Sequence, residues 1–128
     1  MNVVKSIGST ALVMLVFDIL WLSLRNPYHQ RLFRDIQGSP LTMRILPALL
    51  IYCLLPVAVY LGAVKDATSL QDAAQKSALV GLVLYAFYDL TNYATLTGWT
   101  LEMTVVDILW GTFLCTVGGA AGYFMSHK

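Results

Sequence analysis

Three aspartates, Asp18, Asp89 and Asp107, stand inside long apolar stretches of this 128-residue chain. A carboxylate at the centre of a membrane helix costs about 2.5–3.5 kcal/mol on insertion scales, and such groups usually face a protein interior or a wet cavity. The chemistry open to them is the uptake and release of a proton, the binding of a cation, or general acid and base work. Asp18 is seven residues before the end of the first apolar run, about 10 Å deep at 1.5 Å per residue. Asp89 is nine residues before Gly98, about 14 Å deep from the same side, and Asp107 is six residues into the last run, about 9 Å deep. The count therefore predicts one acidic layer.

Other polar side chains fall in that layer. Asn92 is three residues beyond Asp89 and Tyr85 four before it, so both share its helix face. Tyr52 sits at a comparable depth on the second run. Arg25, two turns past Asp18, and Arg44, at the start of the second run, enter from the same side and are expected to snorkel towards the acids. The plainer role for each Asp is to tie helices together through hydrogen bonds worth about 0.6–2 kcal/mol.

The elements that must position these groups follow from composition. Hydrophobic residues make up 58% of the chain and charged ones 12%, against about 45–50% and 25% in soluble domains. Mean hydropathy is +0.69. The reading is an all-α integral membrane protein, residues 1–128 forming a single domain of four transmembrane helices in an antiparallel bundle, at about 7–25, 43–64, 77–98 and 101–125. The first helix is expected to stop at Arg25-Asn26-Pro27 rather than serve as a cleaved signal, because no Ala-x-Ala-like site follows it. Pro56 should kink the second helix without breaking it. Gly98 and Trp99 form the tight turn between the last two, with Trp99 as an interfacial aromatic.

A net charge of +1 offers no basic patch, so nucleic acid is excluded as a partner. Cys53 and Cys115 lie in apolar runs without ligand spacing and read as small hydrophobes packed between helices, so no metal is expected. Nor is a cofactor: the two histidines, His29 in a predicted loop and His127 at the tail, form no cluster for di-iron or haem ligation. Lys5, Lys65, Lys76 and Lys128 lie on one side of the bundle and Arg25, Arg31, Arg34 and Arg44 on the other. Four against four leaves the positive-inside rule tied.

Asp18-Ile19-Leu20-Trp21 recurs as Asp107-Ile108-Leu109-Trp110. Each copy puts Asp and Trp on one helix face, and with the two helices antiparallel the rings of Trp21 and Trp110 should extend towards opposite leaflets, as in an inverted repeat. Gly111, Cys115, Gly118, Gly119 and Gly122 give the fourth helix small-residue stripes that suit close packing, inside the fold before a homodimer.

The block Tyr88-Asp89-Leu90-Thr91-Asn92-Tyr93-Ala94-Thr95, followed by Asp107-Ile108-Leu109-Trp110-Gly111, with Asp18 and Trp21 early and Tyr28 after them, resembles a family of small bacterial membrane proteins, the domain-of-unknown-function family DUF2177. The resemblance extends over essentially the whole chain and implies a four-helix, multi-pass protein of the bacterial inner membrane, with no particular activity attached. From the residues, the first functional expectation is a proton- or cation-linked carrier or channel-like protein whose candidate site comprises Asp18, Asp89, Asn92, Asp107, Tyr52, Tyr85, Arg25, Arg44, Trp21 and Trp110. The alternatives are an accessory subunit of a larger membrane complex and a lipid-binding or lipid-modifying protein. Whether the chain is an enzyme stays open, since it carries no Ser-His-Asp or Cys-His arrangement. The lipid bilayer and a homodimer or larger assembly are the expected partners.

Overall fold

In a computed structural model describing residues 1–128, the chain is all-helical, with α1 (Val3–Gln37), α2 (Ile45–Val59), α3 (Leu70–Thr95) and α4 (Leu101–Ser126). A π-helical turn, Tyr60–Val64, continues α2. Three helical stretches are long and apolar enough to cross a membrane: α1, α2 with its π turn, and α4. α3 has the length, but its polar first turns and Asp89 and Asn92 dilute its apolar character.

Two boundaries differ from the sequence expectation. α1 does not stop at Pro27 but runs to Gln37, where Gly38 adopts φ 74° and its N–H bonds the Arg34 carbonyl. Proline removes one backbone donor, a loss that neighbouring packing offsets. Here the packing is specific: Tyr28 hydrogen-bonds Thr100 through their hydroxyls, and Leu32 joins Trp99 and Met103 in a buried cluster flanked by Phe33 and Ile36. The α3–α4 turn therefore rests on the end of α1. Trp99 is buried within that contact, not interfacial as expected.

α3 begins earlier than residue 77 because Ser69 caps it, its hydroxyl accepting the Asp72 N–H while the Asp72 carboxylate accepts the Thr68 N–H. Lys76, 2.8 Å from that carboxylate one turn on, and the Thr68 N–H hold the Asp72 carboxyl below its usual range.

α4 lies between α1 and α3, whose backbones do not approach each other closely. Its two small-residue stripes explain why. Towards α3, Gly111 lies under the Tyr85 ring, Gly119 against Ser77, and Cys115 against Gly81, where an added Cβ would stand 2.7 Å from the Gly111 carbonyl. Towards α1, Gly118 meets Met14 and Thr10, and Gly122 meets Thr10 and Ser6. The Thr10 hydroxyl donates to the Gly118 carbonyl at 2.9 Å. The glycine faces are thus used inside the chain. Of the cysteines, Cys115 is packed as expected, whereas Cys53 is exposed on α2.

α2 is attached at one end. Pro56, Val59, Tyr60, Ala63 and Val64 are buried, whereas Ile45, Leu46, Leu49, Leu50, Ile51 and Leu54 are exposed. Pro56 has no N–H for the Tyr52 carbonyl, which loosens the helix where the packed half meets the unpacked one.

Gly119→Val tests the central stripe. A Cβ at Gly119 would stand 1.8 Å from the Ser77 hydroxyl oxygen, so the variant should lose about 1–3 kcal/mol of stability. Gly8→Ala, with nothing within 4 Å, should be neutral or gain up to about 1 kcal/mol. Reversible unfolding in mixed micelles measures both.

Candidate functional site

The acidic site is assembled by the antiparallel registers around α4. Against α3, contacts recur at four-residue steps, Ser77 with Gly119, Gly81 with Cys115 and Tyr85 with Gly111. The next step along both helices brings Asp89 to Asp107. Their carboxyls interact across the interface. Asp89 is fully buried, and neither of its oxygens meets a hydrogen-bond donor. A carboxyl buried without a donor is costly, and more so beside a second acid.

Asp18 is satisfied differently. The Tyr52 hydroxyl donates to Oδ2 at 2.6 Å and the Trp110 indole Nε1 donates to Oδ1 at 3.0 Å. One carboxylate therefore ties α1, α2 and α4 together. The α1–α4 register sets Asp18 level with Trp110 and Asp107 level with Trp21, so the three acids span about one helical turn, roughly 5 Å, rather than a single plane.

The repeated Asp-Ile-Leu-Trp segments meet directly. The rings of Trp21 and Trp110 stack at 4.5 Å between centroids and 7° between planes. They converge between Asp18 and Asp107 instead of extending towards opposite leaflets, because each Trp points back towards the other helix's acid. The pairing is not reciprocal: Trp110 donates to Asp18, but Trp21 makes no hydrogen bond to Asp107.

The remaining sequence candidates divide. Tyr85, its ring on Gly111, lines the space beside Asp18 and Asp107. Asn92 is half-buried and its side chain bonds none of the acids. Arg25 does not reach the aspartates. Its guanidinium lies over the rings of Tyr28 and Trp21, at 4.3 and 5.7 Å from the centroids, and its nearest carboxylate is Glu102 at 4.0 Å. Arg44, exposed at the N-cap of α2, forms no ion pair with them.

A cavity of about 440 Å³ opens from this site. It runs from Asp18 and Trp110 past Asp107 and Tyr88 to His29, Phe33 and Leu41, that is, from mid-bundle to the arginine side. Its walls are mainly apolar, with Leu22, Ile51, Leu55 and Leu84 among them. A smaller cavity of about 220 Å³ adjoins it at Asp18, Ile51, Leu55 and Tyr85, towards Tyr52 and Pro56. Both exist because the outer half of α2 stands away from the α1–α4–α3 layer. Towards the lysine side the space closes on the packed cluster of Met14, Val59, Tyr60, Val64, Leu114 and Cys115.

His29 is the residue the sequence reading passed over. Ending α1 at Pro27 put it in a loop, whereas on a continuous helix it falls three turns past Asp18 on the same face. It is 8% exposed, faces the cavity and makes no hydrogen bond. No three His, Cys, Asp or Glu side chains gather closely enough to ligate a metal ion.

The family model described as "Predicted membrane protein (DUF2177)" matches residues 3–124. The chain belongs to this family. The match includes every residue of the site. No curated protein and no solved structure matches the chain.

Tyr52→Phe removes the only side-chain hydrogen bond between α2 and the other helices. The expected cost is about 0.6–2 kcal/mol. Amide exchange should accelerate across 45–55 and remain slow across 56–64, as read by hydrogen–deuterium exchange. Equal acceleration of both halves would show that α2 moves as one body.

Proposed function

We propose that the protein binds a lipid-like amphiphile within the membrane, with the ligand's polar end among Asp18, Asp107 and His29 and its chain against α2 and α3. The observation that carries this reading is the one-ended, largely apolar cavity with a few convergent polar groups, the usual composition of a small-molecule site. Its volume of about 440 Å³ is within the roughly 300–1,000 Å³ range of ligand pockets. Ile51 and Leu84, which border it from α2 and α3, are themselves exposed, so a chain reaches it sideways from the bilayer. The closed lysine half argues for a binding site ahead of a continuous pore.

The same reading takes α3 as a fourth membrane crossing. Its 26 residues extend about 39 Å. Leu79, Leu82, Val83, Phe87 and Leu90 present an exposed apolar face, while Asp89 is turned inward against α4. The family description supports a membrane location; the bacterial inner membrane is the location we propose.

Leu55→Trp, which places an indole in the cavity, is the test. Lipid-like molecules that co-purify with the wild-type protein in neutral detergent, quantified by mass spectrometry against protein, should fall about tenfold in the variant. Equal retention by a folded variant overturns the cavity as the binding site.

One observation favours a second reading, a proton-linked carrier: the Asp89 carboxyl, buried without a donor beside Asp107. Asp89→Asn should then abolish proton uptake into proteoliposomes while leaving insertion and folding intact. Uptake at the wild-type rate in that variant removes the carrier.

A further inference from the structure

The polar groups that line the cavity include two carboxyls, set among hydroxyls, indoles and an imidazole. Asp18 and Asp107 bring carboxylates, Tyr85 and Tyr88 bring hydroxyls, and His29 brings an imidazole that, when neutral, has one free acceptor nitrogen. No Lys or Arg lines it. Arg25, the nearest cation on the same helix, lies at the edge of the aromatic wall, over Tyr28 and Trp21 and 4.0 Å from Glu102, and forms no ion pair with Asp18 or Asp107. The cavity lining thus sets two carboxyl groups and several ring faces around a space that no Lys or Arg enters.

The walls point the same way. The stacked Trp21 and Trp110 rings lie between Asp18 and Asp107, and Tyr88 and Phe33 continue the aromatic lining. Acceptors among aromatic rings suit an ammonium group, which is attracted both to carboxylates and to ring faces. His29 supplies an independent sign of a missing partner, being more than nine-tenths buried, facing the cavity and without a hydrogen bond. An N–H donor in the cavity would give its acceptor nitrogen a partner.

We infer that the amphiphile is cationic, its amine held at Asp107 inside the Trp21–Trp110 aromatic wall and its hydrocarbon chain lying along Ile51, Leu55 and Leu84. This rests on the cavity reading above and adds the class of headgroup. Asp18, whose oxygens already accept from Tyr52 and Trp110, contributes field and shape more than a direct contact. Asp107, with no hydrogen-bond donor of the protein upon it, is the open acceptor.

The experiment uses purified full-length protein in neutral detergent, with radiolabelled dodecylammonium, dodecanol and dodecanoate compared by saturable, displaceable binding. Dodecylammonium should bind about tenfold more tightly than dodecanol, and dodecanoate more weakly than either. Asp107→Asn should erase the advantage of the amine while leaving dodecanol binding in place, and Asp107→Glu, which keeps the charge, should restore it. If dodecanol and dodecanoate bind as tightly as the amine, the cationic headgroup is overturned and the cavity reading stands. If none of the three binds saturably, or if Leu55→Trp leaves all binding unchanged, the cavity reading falls and this inference with it.

Discussion

A carboxylate set among apolar helices must find its hydrogen-bond donors within the protein, and Asp18 does so by drawing one from α2 and one from α4. Everything around the cavity depends on that demand. The Tyr52 bond holds the outer half of α2 near the bundle without packing it there. The Trp110 bond fixes the indole whose ring stacks on Trp21. An aliphatic residue at position 18 would remove the cost of burial and, with it, the reason for three helices to meet at one point. In membranes such bonds are individually modest, so their value here is geometric: they set where the helices stop approaching one another.

The other determinant is how closely helices can approach when side chains are small. Glycines on two faces of α4 let α1 and α3 press against it from opposite sides, and on the lysine half their partners are themselves small, Ser6, Thr10 and Ser77. Towards the arginine side the residues grow, with Trp21, Tyr85, Tyr88 and Trp110 replacing Ser, Thr and Gly. Large, flat side chains with polar edges cannot close the same space. The bundle is consequently solid at one end and hollow at the other, and the acids lie where the change occurs. α2 accentuates this, because only its Pro56–Val64 portion enters the packed half.

Burial of Asp89 follows from the same register. The steps that place Gly81 and Tyr85 against α4 carry Asp89 to Asp107 one turn later, so glycine packing and the acidic pair are one arrangement. A change that separates α3 from α4 would therefore alter both stability and the acidic pair. The link is mechanical.

Much of this was legible in the residues. Apolar runs of spanning length, inward-facing aspartates and small-residue stripes are each dictated by local chemistry: backbone groups and charges must be satisfied in lipid, and close helix contact needs small side chains. Those lead to four helices, a close-packed face on α4 and acids near one level of the bundle. What the residues could not determine was which partners meet. Pro27 has the composition of a helix end, yet α1 continues through it because the Trp99 turn packs beneath, and only that contact turns His29 towards the acids. Arg25 is as near to Asp18 in sequence as a snorkelling partner should be, yet aromatic faces and Glu102 hold it elsewhere. The repeated Asp-Ile-Leu-Trp segments are evident at a glance, but whether their rings diverge or stack depends on the offset between two antiparallel helices, which no single helix encodes. Local chemistry chose the helices and the acids; the relative register of α1, α3 and α4 decided that they enclose a cavity, because register is set by long-range packing.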